Sequence, residues 1–452
     1  MTSSPQHENT HEHLRLLTGN LDSGALSQIK RQVNELHPAE IANLLESLPL
    51  QHRRIVWELT NPELAGDILV EVNDEVRQGL IEHTDEKDLI TAAVSLETDD
   101  LADIFEDLPQ AVLHQVVRSM SNQDRRRLQS VMSYDEDSAG GLMNPDVVTI
   151  RPNVDLDVVL RYLRQRGELP ANTDKLFVVD REDRYLGILN ISDLLTQSKK
   201  ESVSRVMLTD QKALPPSLSA NEVALFFEDY NLLSAPVVDE KNHLLGRITV
   251  DDVVDVIRDE ADRSILNLAG LDEDDDMFAP VTRSAKRRAV WLGINLFTAF
   301  LAAWVIGLFA ATIQQIVALA VLMPIVASMG GIAGSQTLML VIRGIALNQI
   351  GKSNSRWLLW KELAVGGLNG LLWASVVAVI TALWFQNQAL GLLIGAALVI
   401  NFIGAALAGA TIPLTLKRLN IDPAIAGGVI LTTVTDVIGF FSFLGLAALF
   451  LT

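Results

Sequence analysis

The hydropathy pattern of the chain changes twice, and each change marks a different kind of structure. Over residues 26–133, apolar side chains recur every three or four positions, which predicts short amphipathic helices. Over residues 137–262, short β-rich segments alternate with helical ones, which predicts small α/β modules. Beyond residue 288, long apolar runs predict helices that cross a bilayer. The polar residues 1–24, which include three histidines, predict a flexible tail.

The helical segment contains an internal repeat. The sequence ANLLESLP at 42–49 matches ADIFEDLP at 102–109, and AGDIL at 65–69 is a weaker third copy. Short helices that repeat in this way stack on one another into a superhelix. We therefore expect an acidic, α-helical N-terminal domain over residues 25–133.

A second repeat, offset by 59 residues, runs through the α/β segment. FVVDREDRYLG at 177–187 is echoed by PVVDEKNHLLG at 236–246, and the same offset carries Asp193 onto Asp252. Each copy predicts strand, polar turn, strand and helix, so we expect two modules, over residues 134–200 and 201–262. Such a tandem resembles a CBS domain pair, a family that senses adenosine nucleotides or ions. The resemblance implies Asp193, Thr249 and Asp252 as nucleotide-binding residues, with ATP as a further candidate ligand.

The rest of the chain predicts a connecting helix or linker over 263–285 and a five-helix transmembrane bundle over 286–452. The apolar runs are 289–313, 316–347, 357–385, 390–416 and 424–451. The second run contains Pro324 and Gly330-Gly331, so we expect a kink or a break there. Basic residues precede the first run and occupy the second and fourth loops, while the other loops are uncharged. The positive-inside rule then predicts a multi-pass cell-membrane protein with a cytoplasmic N-terminus and an external C-terminus.

Charge is divided unevenly along the chain. Of 36 Lys and Arg and 56 Asp and Glu, only ten basic and three acidic residues follow residue 282, so the first 282 residues carry 26 and 53. The first 282 residues are acidic enough to repel phosphate groups. This charge argues against nucleic acid as a partner and favours cations. The chain has no cysteine, which excludes disulfides, thiolate metal sites and thiol catalysis. No Ser/His/Asp constellation or HExxH helix indicates an enzyme.

One carboxylate stands inside the last apolar run. Asp436 follows the sequence TTVT at 432–435, whereas Glu362 is expected at the cytoplasmic start of the third span and Asp422 just before the fifth. A charged group at membrane depth is costly and usually faces a bundle interior or a water-filled path. We interpret Asp436 as part of a divalent-cation pathway; a packing role beside a buried donor is the alternative.

The helix after the second module carries acidic residues on one face. Asp252, Asp255 and Asp259 are spaced i, i+3 and i+7, so their charges repel one another. A divalent cation held between this face and another acidic surface would relieve that repulsion. A solvated acidic face is the alternative.

The order of these segments, with four local motifs, resembles the MgtE magnesium channel family over almost the whole chain. The motifs are SAGGLM at 138–143, MGGIAGSQ at 329–336, IDPA at 421–424 and TDVIG at 435–439. The resemblance implies a homodimer in the inner membrane whose two Asp436 carboxylates hold a hydrated Mg²⁺ on the two-fold axis. It also implies that cytosolic Mg²⁺ bridges the acidic domains and closes the pore. The implied metal ligands are Asp67, Asp99, Asp103, Asp252, Asp255, Glu260 and, near the inner mouth, Asp422.

The chain departs from the family pattern at four positions. Ile332 stands where an asparagine is frequent, Asn231 where some members have an aspartate, and Arg263 and Ser264 where some have acidic residues. These departures predict a changed pore contact and fewer or weaker regulatory sites. Alternative functions are a CBS-regulated transporter of Co²⁺, Mn²⁺ or an anion, and a membrane-anchored nucleotide- or ion-sensing receptor.

Overall fold

The computed structural model describes residues 26–267, 270–271, 276–347, 349–351, 353–419 and 421–451. The predicted tail over 1–24 and most of the acidic run at 272–276 lie outside the described residues. The described chain forms two compact units: residues 26–262 with 276–280, and residues 263–271 with 281–451.

The first unit begins with a stack of short helices. They are α1 (Leu26–Val33), α2 (Pro38–Glu46), α3 (Leu50–Leu59), α4 (Ala65–Glu71), α5 (Asp74–Ile81), α6 (Glu86–Ser95), α7 (Thr98–Asp103), α8 (Gln110–Ser119) and α9 (Asn122–Val131). Helices two apart in sequence pack on each other, as α2 does on α4 and α6 on α8, which is the arrangement of a superhelix. One apolar core, from Ile29 to Leu128, runs through the stack.

Local sequence signals set the helix ends. His37 and Glu40 form a reciprocal capping box at the start of α2, with Pro38 in the first turn. The helices α3 and α8 both begin directly after a proline of the Leu-Pro repeat. A Cβ on Gly66 would lie 2.5 Å from the Ala92 carbonyl oxygen, so only glycine allows α4 and α6 to approach this closely.

Two α/β modules follow. Their elements are β1 (Thr149–Ile150), α10 (Leu156–Arg166), β2 (Lys175–Val179), β3 (Tyr185–Asn190), α11 (Ile191–Thr196), α12 (Val203–Val206), α13 (Ala220–Tyr230), β4 (Ser234–Val238), β5 (Leu244–Thr249) and α14 (Val250–Asn267). In the first module β1 pairs parallel with β2, and β2 pairs antiparallel with β3. In the second, β4 pairs antiparallel with β5, and Leu214 forms the parallel bridge to Val237.

The 59-residue repeat is visible in the backbone. The β2–β3 ladder shifts register between Val178 and Val179, and the β4–β5 ladder shifts at the equivalent Val237 and Val238. The hairpin turns place Asp183 and Asn242, also 59 residues apart, at positive φ. These equivalent turns meet, since the Tyr185 amide donates to the Asn242 carbonyl oxygen (2.8 Å). The two modules are therefore related by a pseudo-two-fold arrangement.

A short segment preceding the membrane helices belongs to the first unit. Both Arg53 guanidinium Nη atoms donate to Asp276, at 2.7 and 3.0 Å, and Arg53 Nε donates to the Leu45 carbonyl oxygen (2.8 Å). Each partner of this ion pair exposes only 4% of its side chain. The Asp276 amide in turn donates to Glu75 (3.1 Å). We call this contact the Arg53–Asp276 latch.

The second unit contains five helices that are long and apolar enough to cross a bilayer. They are α15 (Val281–Gly307), α17 (Ala318–Ala346), α18 (Ser355–Trp384), α19 (Gln388–Arg418) and α20 (Pro423–Phe450), with a short α16 (Ala310–Gln315) between the first two. Helix α19 is the most buried and packs against α17, α18 and α20. Helix α15 packs on α20 and leaves most of its surface uncovered.

One boundary of the predicted spans was wrong. The first helix begins eight residues early, at Val281, because its basic residues favour helix although they are not apolar. Of the kink or break expected near Pro324, the break does not occur, since α17 continues as one helix through Pro324 and Gly330-Gly331, and the kink stays a prediction. The chain leaves helical geometry earlier, at Ile316 (φ −128°, ψ 82°), between α16 and α17.

Candidate functional site

The acidic residues of α7 and α14 come together in the first unit. We define the acidic cluster as Asp99, Asp100 and Asp103 of α7 with Asp252 and Asp255 of α14. Asp252 lies close enough to both Asp99 and Asp103 to raise the pKa of each carboxyl. Helix α7 of the helical domain and α14 of the second α/β module thus lie close together, with like charges facing each other.

Burial and mutual repulsion disfavour ionisation throughout this cluster. Burial, followed by the neighbouring carboxylates, raises the pKa of Asp99 to about 8 and that of Asp103 to about 7. Burial likewise raises the pKa of Asp252 to about 7, against the opposing hydrogen bonds from the Thr249 amide (3.1 Å) and hydroxyl (3.0 Å). Burial and neighbouring acids raise the pKa of Asp100 and Asp255 to about 6.

The negative charge of the cluster is only partly compensated. Arg77 and Arg258 lower the pKa of Asp103 and Asp255, but these effects are smaller than the effect of burial. The Asp99 Oδ1 atom is buried and has no hydrogen-bond partner in the part of the chain that the structure describes. Within the described residues, no three carboxylate or imidazole groups converge as direct ligands of one metal ion. The arrangement can therefore attract a cation that keeps its own water shell, since Mg²⁺ gives up water reluctantly.

Several acidic residues that sequence reasoning missed also lie beside the cluster. Glu71 raises the pKa of both Asp100 and Asp255, and Asp251 does the same. The predicted ligand Asp67 lies at the edge, where it raises the pKa of Asp100. The spacing of Asp100 and Asp103, one helical turn apart, is a signal that could have found Asp100.

Glu260, another predicted ligand, has its described partner elsewhere. Its carboxylate accepts a hydrogen bond from Asn221 of α13 (3.0 Å), within the second module. Asn231, one of the departures, ends α13 in the left-handed conformation (φ 50°), which asparagine tolerates well.

The predicted nucleotide residues occupy equivalent positions in the two modules. Asn190 donates to Asp193 (2.9 Å) just as Thr249 donates to Asp252. Asp252 belongs both to this pair and to the acidic cluster, whereas Asp193 does not belong to the cluster.

In the second unit, Asp436 lies on an open cavity of about 720 Å³. The lining residues come from α17 and α20: Ala327, Ser328, Gly331, Ile332, Ser335, Gln336, Met339, Thr432 and Asp436. The side chain of Asp436 is partly exposed, and among the described residues no donor or cation pairs with it. The departure Ile332 lines the same cavity and is 55% exposed. The cavity therefore has one negative group and several hydroxyl or amide groups that could meet a hydrated ion.

The two other acidic residues of this unit are already partnered. Asp422 caps α20 through the Ala424 amide (2.8 Å) and accepts a hydrogen bond from Asn267, near the end of α14 (3.0 Å). Glu362, expected near the start of its span, is buried (3% exposed) and accepts from Thr337 (3.1 Å) and Lys361 (2.9 Å). Glu362 is thus a buried and paired carboxylate, and it does not line the cavity that contains Asp436.

Models of three known domain types match the chain. Residues 36–137 match the MgtE intracellular N domain, residues 139–200 and 203–259 match CBS domains, and residues 323–446 match a divalent cation transporter domain, MgtE. These matches confirm the expected fold class: a helical N-terminal domain, a CBS pair and a membrane helix bundle.

Full-length relatives agree with this order of domains. The chain is 29% identical over 432 residues to the magnesium transporter MgtE of Bacillus subtilis (strain 168), covering 95% of this chain and 96% of the relative. It is 29% identical over 436 residues to the magnesium transporter MgtE of Thermus thermophilus, covering 95% and 97%. It is also similar to the solved cytosolic domain of the Mg²⁺ channel MgtE in complex with ATP (28% identity, TM-score 0.48, 53% of this chain and 98% of that one).

Proposed function

Because this chain belongs to the MgtE family of magnesium transporters, we propose that it takes Mg²⁺ into the cell past Asp436 and is closed by cytosolic Mg²⁺ at the acidic cluster. The observation that carries the transport half is Asp436 itself, an unpaired carboxylate on an open cavity between α17 and α20. A transmembrane carboxylate with no partner is costly unless water or an ion reaches it.

A hydrated Mg²⁺ fits the groups that surround this cavity. One carboxylate with nearby hydroxyl and amide groups cannot supply six direct oxygen ligands, but it can hold the ion through its bound waters. We propose that a second copy of the chain faces the open side of the cavity and brings a second Asp436. With a cytoplasmic N-terminus, the membrane potential favours inward passage of a doubly charged ion by about 4.6 kcal/mol per 100 mV.

Regulation follows from the uncompensated charge of the acidic cluster. The negative carboxylates of α7 and α14 repel each other and oppose the contact between the two helices. A divalent cation bound between them attracts the carboxylates of both helices and so favours that contact. A cation that binds the closed form more tightly than the open form shifts the population toward closure by its difference in affinity. A high concentration of cytosolic Mg²⁺ then limits further uptake of Mg²⁺.

Ion flux in liposomes tests the pore. We expect Asp436→Asn to abolish Mg²⁺ uptake while the protein still inserts and purifies as a folded species. Ser375→Ala, which removes a hydroxyl from the exposed face of α18, is the matched control and should transport normally. Full uptake by Asp436→Asn would refute the pore assignment, and equal flux of Co²⁺ or Mn²⁺ would broaden the substrate to divalent cations.

Protection from proteolysis tests the regulatory half. Mg²⁺ should protect residues 1–280 from trypsin, and neutralising Asp99, Asp252 and Asp255 to asparagine should remove that protection. The fragment extends to 280 so that the Arg53–Asp276 latch is kept. The control neutralises three exposed acidic residues outside the cluster: Asp85, Asp88 and Asp229. Protection that survives in the cluster variant, or is lost in the control, would contradict the proposal.

A further inference from the structure

A single amide stands at the centre of the membrane unit. Between Gln388 and Thr411, the only polar side chain of α19 is Asn401, and it is completely buried. An amide in an apolar environment is costly unless it is hydrogen-bonded, and its burial here calls for a physical reason.

The Asn401 side chain touches both helices that line the cavity. Its Nδ2 donates to the Val326 carbonyl oxygen of α17 (2.8 Å). A Cβ on Gly330 of α17 would lie 2.1 Å from that Nδ2, and a Cβ on Gly439 of α20 would lie 2.7 Å from it. The amide is therefore wedged between two glycines, one on each helix, and holds both helices at a set distance from α19.

These contacts lie directly behind the cavity wall. Val326 and Gly330 are each followed by a residue that lines the cavity, Ala327 and Gly331. On α20, Gly439 lies three residues, about one helical turn, beyond Asp436. A shift of the amide by even part of an ångström would be passed to both walls, because close-packed interiors transmit strain.

The hydrogen bonding of Asn401 is incomplete, which bears on its role. Its Oδ1 is buried and has no partner among the described residues. An apolar side chain of similar size would avoid this penalty, so stability alone does not favour an asparagine here. The geometry instead fits an asparagine whose role is to hold α17 and α20 at fixed positions.

We propose that Asn401 is a positioning residue for ion passage, which fixes the spacing of α17 and α20 and thereby the place of Asp436 in the cavity. This inference rests on the proposed transport function. Helix α19 contributes no residue to the cavity lining, but under this proposal it controls which ions pass. Small displacements of a group that handles substrate can cost about 100-fold in rate.

The test uses the absence of native cysteine from the chain. Ser335→Cys places a single thiol on the cavity wall as a reporter, read by its rate of alkylation with a membrane-impermeant maleimide in proteoliposomes. In the reporter background, Asn401→Leu removes the amide at similar volume, and Asn401→Ser removes the wedge but keeps a hydroxyl. The matched control is Asn295→Leu on α15, since the Asn295 amide donates within its own helix, to Trp291 (3.0 Å).

We expect both Asn401 variants to change the alkylation rate severalfold and to lower the ratio of Mg²⁺ to Ca²⁺ flux. Asn295→Leu should leave both readouts unchanged. A purely structural role would lower yield or thermal midpoint without moving the flux ratio. The proposal is overturned if either folded Asn401 variant keeps the parental alkylation rate and flux ratio. Because Ser335 lines the cavity, the flux ratio is measured in chains that keep Ser335, and an unsubstituted chain without Mg²⁺ flux would refute the transport function, while the alkylation rates of the reporter chains would still report on the spacing.

Discussion

Binding of Mg²⁺ to the acidic cluster should release protons, and the structure sets the number. Asp99, with a pKa of about 8, is roughly nine-tenths protonated at pH 7. Asp103 and Asp252, each with a pKa of about 7, are roughly half protonated at that pH. The surrounding protein withdraws the carboxyls of Asp103 and Asp255 from much of the bulk water, but both residues keep an exposed face, and solvent contact there weakens their pKa shifts. The metal-free cluster therefore holds about one to two protons at pH 7.

The direction of the pH dependence follows from the raised pKa values. A carboxyl whose pKa is raised where α7 and α14 lie close together binds more protons there, so acid stabilises the metal-free assembled cluster. That stabilisation is lost as the pH rises through about 6 to 8, the range of the raised pKa values. Bound Mg²⁺ replaces these protons, so its apparent affinity should increase about 10- to 100-fold per pH unit near neutrality.

Isothermal titration of Mg²⁺ into the full chain in detergent measures this release directly. Comparing two buffers of unlike ionisation enthalpy, at about pH 6.5 and about pH 7.5, gives the number of protons per binding event. Asp99→Asn should reduce that number by nearly one at the lower pH, and Asp88→Asn, an exposed control on α6, should leave it unchanged. A Mg²⁺ affinity that is independent of pH, with no protons released, would refute the reasoning about the cluster.

Three further predictions concern contacts outside the cluster. Breaking the latch with Arg53→Met should destabilise the soluble half by about 3–5 kcal/mol, because Asp276 is left buried and unpaired; urea unfolding of residues 1–280 measures it. Thr337→Val should remove the hydrogen bond to Glu362 and cost about 1–3 kcal/mol, seen as a lower thermal midpoint in detergent, and an unchanged midpoint would contradict the buried contact. Asp193→Ala should weaken ATP binding, measured by fluorescent nucleotide titration, while Mg²⁺ protection persists; loss of that protection would contradict separate sites.

Much of the architecture could be predicted from periodicity alone. The 59-residue repeat gave equivalent strands, and even the bulges and positive-φ turns recur at that offset. The helical stack and the five spans also follow from local patterns of apolar residues. The error lies at a boundary, where basic residues extended α15 beyond the apolar run, while the break considered near Pro324 is absent because α17 accommodates the proline.

The sites were less accessible to sequence reasoning, for a different physical reason. Spacing along a helix identified Asp252 and Asp255, but the pairing of α14 with α7 depends on tertiary packing. Glu71 and Asp251 join the cluster only because the chain brings separate helices together. Asn401 gave no signal, since a lone amide in an apolar run does not indicate which neighbours it will touch.

The latch between Arg53 and Asp276 also limits how freely the helical domain can move. Residues 276–280 are held by that domain, and the next residue, Val281, already starts the first membrane helix. Almost no slack chain separates the two, so the latch works as a short tether. A displacement of residues 276–280 would therefore pull on the start of α15 through covalent bonds. Cutting the chain within 276–280 would release that pull while leaving every acidic residue of the cluster in place.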